Sequence, residues 1–180
     1  MTTAIHSFTD LGAIHCCLKA GTYVITDPCY VFPDEMWSDL CDKIFCREDD
    51  MGEGKKKSPD TGAIEMDGHQ IWWGQTAHGD GGYTVRLYGG KVGEFGVDAG
   101  LFAIFPVEFV KKYKPDLLDE KTLACTLSIP AGVVSYNGGD MDCGQVAVCT
   151  SGKDDDEEDD EDEDEENTID HPEDDDEEDR

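Results

Sequence analysis

Hydrophobic and polar positions alternate through much of this chain, the period expected of strands with one buried face. Residues 13–19 alternate first. Gly21 follows, then a β-branched and aromatic run that ends at Asp27. Later runs are divided by glycine-rich turns, one of which, Asp67-Gly68, is typical of a β-hairpin. The later runs are AIEM, HQIWW, YTVRLY, KVGEFGV, LFAIFP, TLACTLSIP, GVVSYN and QVAVCTS. The pattern predicts eight or nine short strands.

One stretch, residues 32–47, has the period of a helix instead. Pro33 suits a first helical turn, and Asp34 and Glu35 complement the positive end of the helix dipole. The apolar side chains recur three and four positions apart, so they form one stripe that we expect to pack on a sheet. This stripe consists of Trp37, Leu40, Cys41, Ile44 and Phe45. A second, shorter helix is predicted for residues 107–113.

These elements together predict an α+β fold. Residues 1–152 would form one β-rich globular domain, with a mostly antiparallel, strongly curved sheet that is barrel-like or sandwich-like and packs with the main amphipathic helix. Residues 48–62 lack periodicity and collect glycine, proline and charge, which predicts a long exposed loop. Residues 137–144, NGGDMDCG, are predicted to form a hairpin turn; they lack the terminal glutamate of a calcium loop.

Charge separates the end of the chain from this domain. The 180 residues carry a formal charge of −29, and residues 153–180 contain 21 acidic residues, two basic residues and one aliphatic residue, Ile169. Such a segment has too little apolar surface to offset chain entropy, so we predict a disordered acidic tail. The tail either keeps the protein soluble or captures a basic partner by electrostatic attraction.

The same charge limits the partners. Direct nucleic-acid binding and membrane binding are not expected, because both depend on lysine and arginine meeting phosphates. No run approaches the roughly 18 apolar residues of a membrane span, and no signal peptide is recognised, which predicts a cytoplasmic location. In that reducing compartment the eight cysteines are expected to stay free thiols. None of them shows the Cys-x2-Cys spacing of common zinc sites, so we expect the thiols to be metal-free. A basic protein or a small-molecule ligand is the expected partner.

Three corners rich in glycine and aspartate carry the candidate chemistry. They are Asp27 in ITDPCY, His78 and Asp80 in HGDGG, and Asp98 in GVDAG. If they converge, their carboxylates could bind a ligand or a divalent cation, or act as general acids and bases. The alternative is that these aspartates accept backbone hydrogen bonds in tight turns. Tyr30 and Tyr83 complete the candidate ligand or metal site, and Trp72 and Trp73 are candidate aromatic contacts.

In order and approximate spacing, the motifs DPCY, GDG and VDAG resemble an uncharacterised family of small proteins encoded by phages and bacteria. The resemblance spans residues 21–108 and implies no known activity. It places residues 27–30, 79–81 and 97–100 at the family's matching positions. The family pattern has a tyrosine where this chain has His78, which argues against His78 as a catalytic base shared by the family.

The sequence therefore favours a non-enzymatic, phage-related binding protein. Such a protein would occupy a host protein or sequester a small ligand, in host takeover or defence evasion, and would act in the host cytoplasm. One alternative is a metal-assisted hydrolase that uses the clustered aspartates, with His78 as proton carrier. Another is an acidic protein that imitates nucleic acid and binds basic partners. No cofactor is predicted, a divalent cation stays open, and the oligomeric state is not predicted.

Overall fold

The computed structural model describes residues 7–10, 16–44 and 60–152. For residues 7–10, 16, 43 and 44 the structure describes only the backbone. The predicted acidic tail, most of the predicted exposed loop and Phe45 of the predicted helix stripe lie outside the described residues.

Twelve strands and three α-helices make up the described chain. The strands are β1 (Ser7–Asp10), β2 (Cys16–Leu18), β3 (Gly21–Thr26), β4 (Thr61–Met66), β5 (His69–Gln75), β6 (Gly81–Leu87), β7 (Gly90–Val97), β8 (Leu101–Pro106), β9 (Ala124–Ile129), β10 (Gly132–Asn137), β11 (Asp140–Asp142) and β12 (Val146–Cys149). The helices are α1 (Pro28–Val31), α2 (Asp34–Ile44) and α3 (Val107–Tyr113), and a 3₁₀ helix, Pro115–Asp119, follows α3.

The strands form two six-stranded antiparallel sheets. The first has the order β1-β4-β5-β8-β3-β9 and the second the order β2-β10-β11-β12-β6-β7. No ladder joins the two sheets within the described ranges, so they do not close into a barrel, and residues of both sheets share one core. The predicted β-rich α+β class is confirmed.

Alternation along the strands of the first sheet divides the buried side chains into two cores. On β8, Phe102 and Ile104 face the second sheet, where Val85 and Phe95 meet them. The intervening residues of β8 face the other way, toward the helices. The first sheet is therefore covered on both faces, by a sheet on one and by helices on the other.

The helices differ in part from the prediction. In α2 the Trp37 N–H donates to the Pro33 carbonyl oxygen at 2.9 Å, and Leu40 is fully buried in the helix-side core, as the stripe predicted. The second predicted helix is confirmed as α3. The short helix α1 was not predicted, because a turn of four residues is too short to show a period of 3.6.

The structure also contains turns and free thiols where the sequence predicts them. Asp67 and Gly68 both have positive φ, 51° and 74°, and join β4 to β5 as a tight hairpin. Of residues 137–144, predicted as one hairpin turn, Gly138 and Gly139 form the turn between β10 and β11, whereas Asp140–Asp142 form strand β11 itself. Six cysteines in the described part carry free thiols: Cys17, Cys29, Cys41, Cys125, Cys143 and Cys149. The described helices include none that is long and apolar enough to cross a membrane.

Candidate functional site

The strand order brings the three glycine and aspartate corners to one end of the first sheet. Thr26, at the end of β3, pairs with Ala103 of β8, and Gln75, at the end of β5, pairs with Leu101 of β8. The chain enters β8 from the turn that contains Asp98. The segment after β3, the segment after β5 and the turn before β8 are therefore neighbours.

Asp27 ties the first corner to the third. Its carboxylate is fully buried and accepts three backbone hydrogen bonds: Oδ1 from the Cys29 N–H at 2.7 Å, and Oδ2 from the N–H groups of Asp98 at 2.8 Å and Ala99 at 2.7 Å. The first of these bonds caps helix α1. Burial raises the pKa of the Asp27 carboxyl, and the three backbone donors oppose that rise without cancelling it.

Asp80 ties the second corner to the same turn. Its Oδ1 accepts the Gly100 N–H at 2.9 Å, and the Gly100 carbonyl oxygen in turn accepts the Thr76 N–H at 3.0 Å. The Thr76 hydroxyl closes the second corner on itself by donating to the Gly79 carbonyl oxygen at 2.6 Å. The three corners thus meet around residues 98–100. The carboxylates of Asp27 and Asp80 accept hydrogen bonds from backbone amides there, which is the structural role that the sequence left open beside a ligand-binding one.

Two side chains of the DPCY motif lie among these aspartates. Burial raises the pKa of the Cys29 thiol, and the hydrogen bond with Asp27 and the charges of Asp27, Asp98 and Asp80 raise it further. Burial is also the main cause of the raised pKa of the Tyr30 hydroxyl, and the hydrogen bond of this hydroxyl with the Asp98 side chain raises that pKa further. Both groups keep their protons at neutral pH, so neither is activated as a nucleophile or a base.

We expect Cys29 to react with iodoacetamide at pH 8 at least about tenfold more slowly than the exposed Cys17, because the thiolate is the reacting species. Replacing the nearby charge with Asp98→Asn should speed alkylation of Cys29 and leave that of Cys17 unchanged. Peptide mass spectrometry over a time course measures both rates. Equal rates for the two cysteines in the unaltered protein would contradict the raised pKa.

His78 and Tyr83 lie beside the second corner. The Tyr83 hydroxyl donates to the Gly79 carbonyl oxygen at 2.7 Å, so this side chain holds the corner in shape. His78 is exposed, and its Nε2 lies 3.3 Å from the Ser151 carbonyl oxygen. Both line a cavity of about 240 Å³. None of these contacts joins His78 to one of the three aspartates. The geometry therefore does not support His78 as a proton carrier.

Trp72 and Trp73 do not act together as aromatic contacts, because adjacent residues of a strand face opposite sides of the sheet. Trp73 is fully buried in the helix-side core, where a surface ligand does not reach it. Trp72 is 3% exposed, belongs to the core between the sheets and lines a separate cavity.

A cleft beside the DPCY motif contains residues that the sequence analysis missed. Its volume is about 520 Å³, and its walls include Cys29, Tyr30, Lys114, Asp116, Leu117 and Glu120. Asp116 and Glu120 are exposed, whereas Leu117 is buried. The sequence contains one sign of this cleft: in PDLLDE, two acidic residues lie four positions apart on either side of a leucine pair. Only the packing of the 3₁₀ helix and its flanking residues beside α1 makes it a site.

A metal site at the corners is not supported by the geometry of the described residues. Among them, no group of three or more histidine, cysteine, aspartate or glutamate side chains is arranged to hold a metal ion. Both oxygens of Asp27 already accept backbone hydrogen bonds. A divalent cation stays a prediction that no observation tests.

The basic cluster at residues 111–114 is partly engaged within the domain. Lys112 pairs with Asp67 at 2.5 Å, and Lys111 pairs with Glu108 at 2.8 Å. Lys114 lines the cleft. The other basic cluster, residues 55–57, lies outside the described residues.

Comparisons with protein-family models, with curated proteins and with solved structures found no match to this chain. The resemblance to small phage and bacterial proteins therefore stays a prediction based on three motifs.

Proposed function

We propose that this chain is a non-enzymatic binding protein that holds a cationic group of a basic partner in the cleft beside the three corners. The observation that carries the proposal is the composition of that cleft of about 520 Å³. Two exposed carboxylates, Asp116 and Glu120, line it beside Tyr30, whose hydroxyl bonds the side chain of Asp98. Lys114 is the one cation among the residues that line the cleft.

A binding role fits the state of the neighbouring groups better than catalysis does. Asp27 uses both carboxylate oxygens to hold backbone amides, which fixes the position of the corner. Cys29 and Tyr30 have raised pKa values, and a nucleophile or base needs the opposite shift or a partner that takes its proton. The corners therefore serve as a rigid support for the cleft wall.

The cleft fits the side chain of an arginine or a lysine. Leu123, which is half-buried, offers an apolar surface to a methylene stem, and the carboxylates of Asp116 and Glu120 offer acceptors to the charged head. The acidic residues 153–180 would add long-range attraction that speeds encounter with a basic partner. By its resemblance to phage and bacterial proteins, the chain would find this partner among the proteins of a host cell.

Titration calorimetry of the full chain with a hexa-arginine peptide tests the proposal. Glu120→Gln is expected to weaken binding about fivefold, the loss of one charge-assisted hydrogen bond. Asp119→Asn removes an equal charge from the next residue, which is not among those lining the cleft, and should change affinity less than twofold. Equal effects of the two variants would overturn the proposal, since attraction by net charge alone would then explain binding.

A second experiment distinguishes binding by the acidic tail from binding by the cleft. In a full chain whose 21 tail acids are replaced by amides, affinity should fall and depend less on salt. The difference between Glu120→Gln and Asp119→Asn should persist in that background. Its disappearance would show that the peptide binds the tail and not the cleft.

A further inference from the structure

A second cavity opens at the surface beside Tyr23 and Trp72, two residues of the core between the sheets, and is independent of the proposed function. Its volume is about 330 Å³, and Trp72 and Tyr23 form its aromatic wall, with Pro106 beside them. The two rings meet edge to face, with centroids 6.5 Å apart. Gln70 and Glu65, which pair across β4 and β5, and Lys19 line the cavity as well. Aromatic walls with a few polar groups are typical of small-molecule sites.

One residue that lines this cavity carries an unsatisfied donor, which is buried behind the cavity surface. Trp72 is 3% exposed, and its Nε1 is buried and makes no hydrogen bond. The indole N–H is a donor only, and most buried donors in proteins find an acceptor because an unpaired one destabilises the fold. By contrast, the hydroxyl of Tyr23, its neighbour, donates to the Lys19 carbonyl oxygen at 2.7 Å. The Trp72 N–H therefore lacks an acceptor within the described part of the protein, and a ligand that supplied one would remove this cost.

We propose that this cavity binds the base of a nucleoside. A nucleobase is planar, which suits the aromatic wall, and its ring nitrogens and carbonyl oxygens are acceptors for the Trp72 N–H. The exposed Gln70 amide, which is both donor and acceptor, suits the mixed edge of a base. A small movement of the indole ring would bring its buried N–H to the ligand, a side-chain change that is common on binding.

Charge selects a nucleoside over a nucleotide. Lys19 and Glu65 both line the cavity, and their opposite formal charges offset each other. The chain as a whole carries −29, which repels phosphate groups. A neutral ligand is therefore favoured, in contrast to the cation that suits the acidic cleft.

Equilibrium dialysis of the full chain against adenosine, guanosine, cytidine and uridine tests this proposal, because it needs no tryptophan signal. At least one nucleoside should bind with a Kd on the order of 100 µM, the range expected for a ligand of this size. Trp72→Phe keeps an aromatic ring but removes the N–H donor, and should weaken binding about fivefold to tenfold. Trp73→Phe, the matched change on the opposite face of the same strand, should leave the Kd within about twofold.

Gln70→Ala provides a second probe that does not depend on the core. It is exposed, so the variant should fold, and we expect about fivefold weaker binding. Gln145→Ala, also exposed but beside Tyr88 on the second sheet, is its control and should have no effect. Absence of binding by all four nucleosides at 5 mM, about fiftyfold above the expected Kd, would overturn the proposal. So would equal Kd values for both members of each variant pair, or tighter binding of a 5′-monophosphate than of its nucleoside.

Discussion

Asp27→Asn is expected to lower the free energy of unfolding by about 3 kcal/mol, the cost of breaking a buried network around a charged group. The carboxylate accepts three backbone hydrogen bonds and is fully buried. An amide presents its NH₂ group to at least one of those donors, and the donor then loses its partner without gaining water. Urea unfolding at pH 7, followed by circular dichroism, measures the loss.

Asp80→Asn is the matched control. It lies in a neighbouring corner and bonds the same turn, but it is exposed and accepts a single backbone N–H, from Gly100. Water can replace that bond, so the variant should lose no more than about 1 kcal/mol. A comparable loss in both variants would mean that burial of Asp27 does not decide the stability of the corners.

The pH dependence of the Asp27→Asn effect has a definite sign. Because burial raises the pKa of Asp27 in the folded state, the folded protein binds this proton more tightly than the unfolded chain does. The stability due to this proton is present below the ordinary aspartate pKa and is lost as the pH rises through the folded value. The asparagine variant lacks this dependence. The difference between the two proteins should therefore shrink as the pH rises through that window.

The sequence predicted the corners because each follows or precedes an alternating run, and alternation is a local property. Their meeting is not local. It depends on β8 lying between β5 and β3, an order that no neighbouring pair of residues encodes. Three ordered motifs raised the question of convergence, and the strand order answered it. The chemical role of Asp27 was open from sequence, since an aspartate beside a turn either caps a backbone or faces a ligand.

The cleft shows the same division between local and long-range information. Tyr30 was a candidate from the DPCY motif, but Asp116 and Glu120 lie about 90 residues further along the chain. The contact arises because the 3₁₀ helix follows α3 and packs against the same helix-side core as α1. Likewise, Trp72 and Trp73 were grouped as neighbours in sequence, whereas strand geometry assigns them to different cores.

Gly139→Ala is expected to lower the free energy of unfolding by about 3 kcal/mol or more, as a strained backbone and a steric clash add. Gly139 has a φ of +104°, and a Cβ at this position would lie 2.5 Å from the Ala77 nitrogen and 2.7 Å from the Thr150 Oγ1. The Ala77 N–H donates to that Oγ1, and the hydroxyl donates to the Gly139 carbonyl oxygen. An added methyl group would have to separate these partners.

Gly138→Ala is the control that has no steric clash. Gly138 also has positive φ, +58°, but a Cβ there would meet nothing within 4 Å, so about 1 kcal/mol should be lost. Urea unfolding of both variants measures the difference, and equal losses would contradict a role for close approach.

Because Ala77 lies between Thr76 and the second corner, Gly139→Ala should also speed hydrogen exchange of the Gly100 amide, whose N–H donates to Asp80. The stability of the corner then depends on a hairpin of the opposite sheet, which holds it through Thr150.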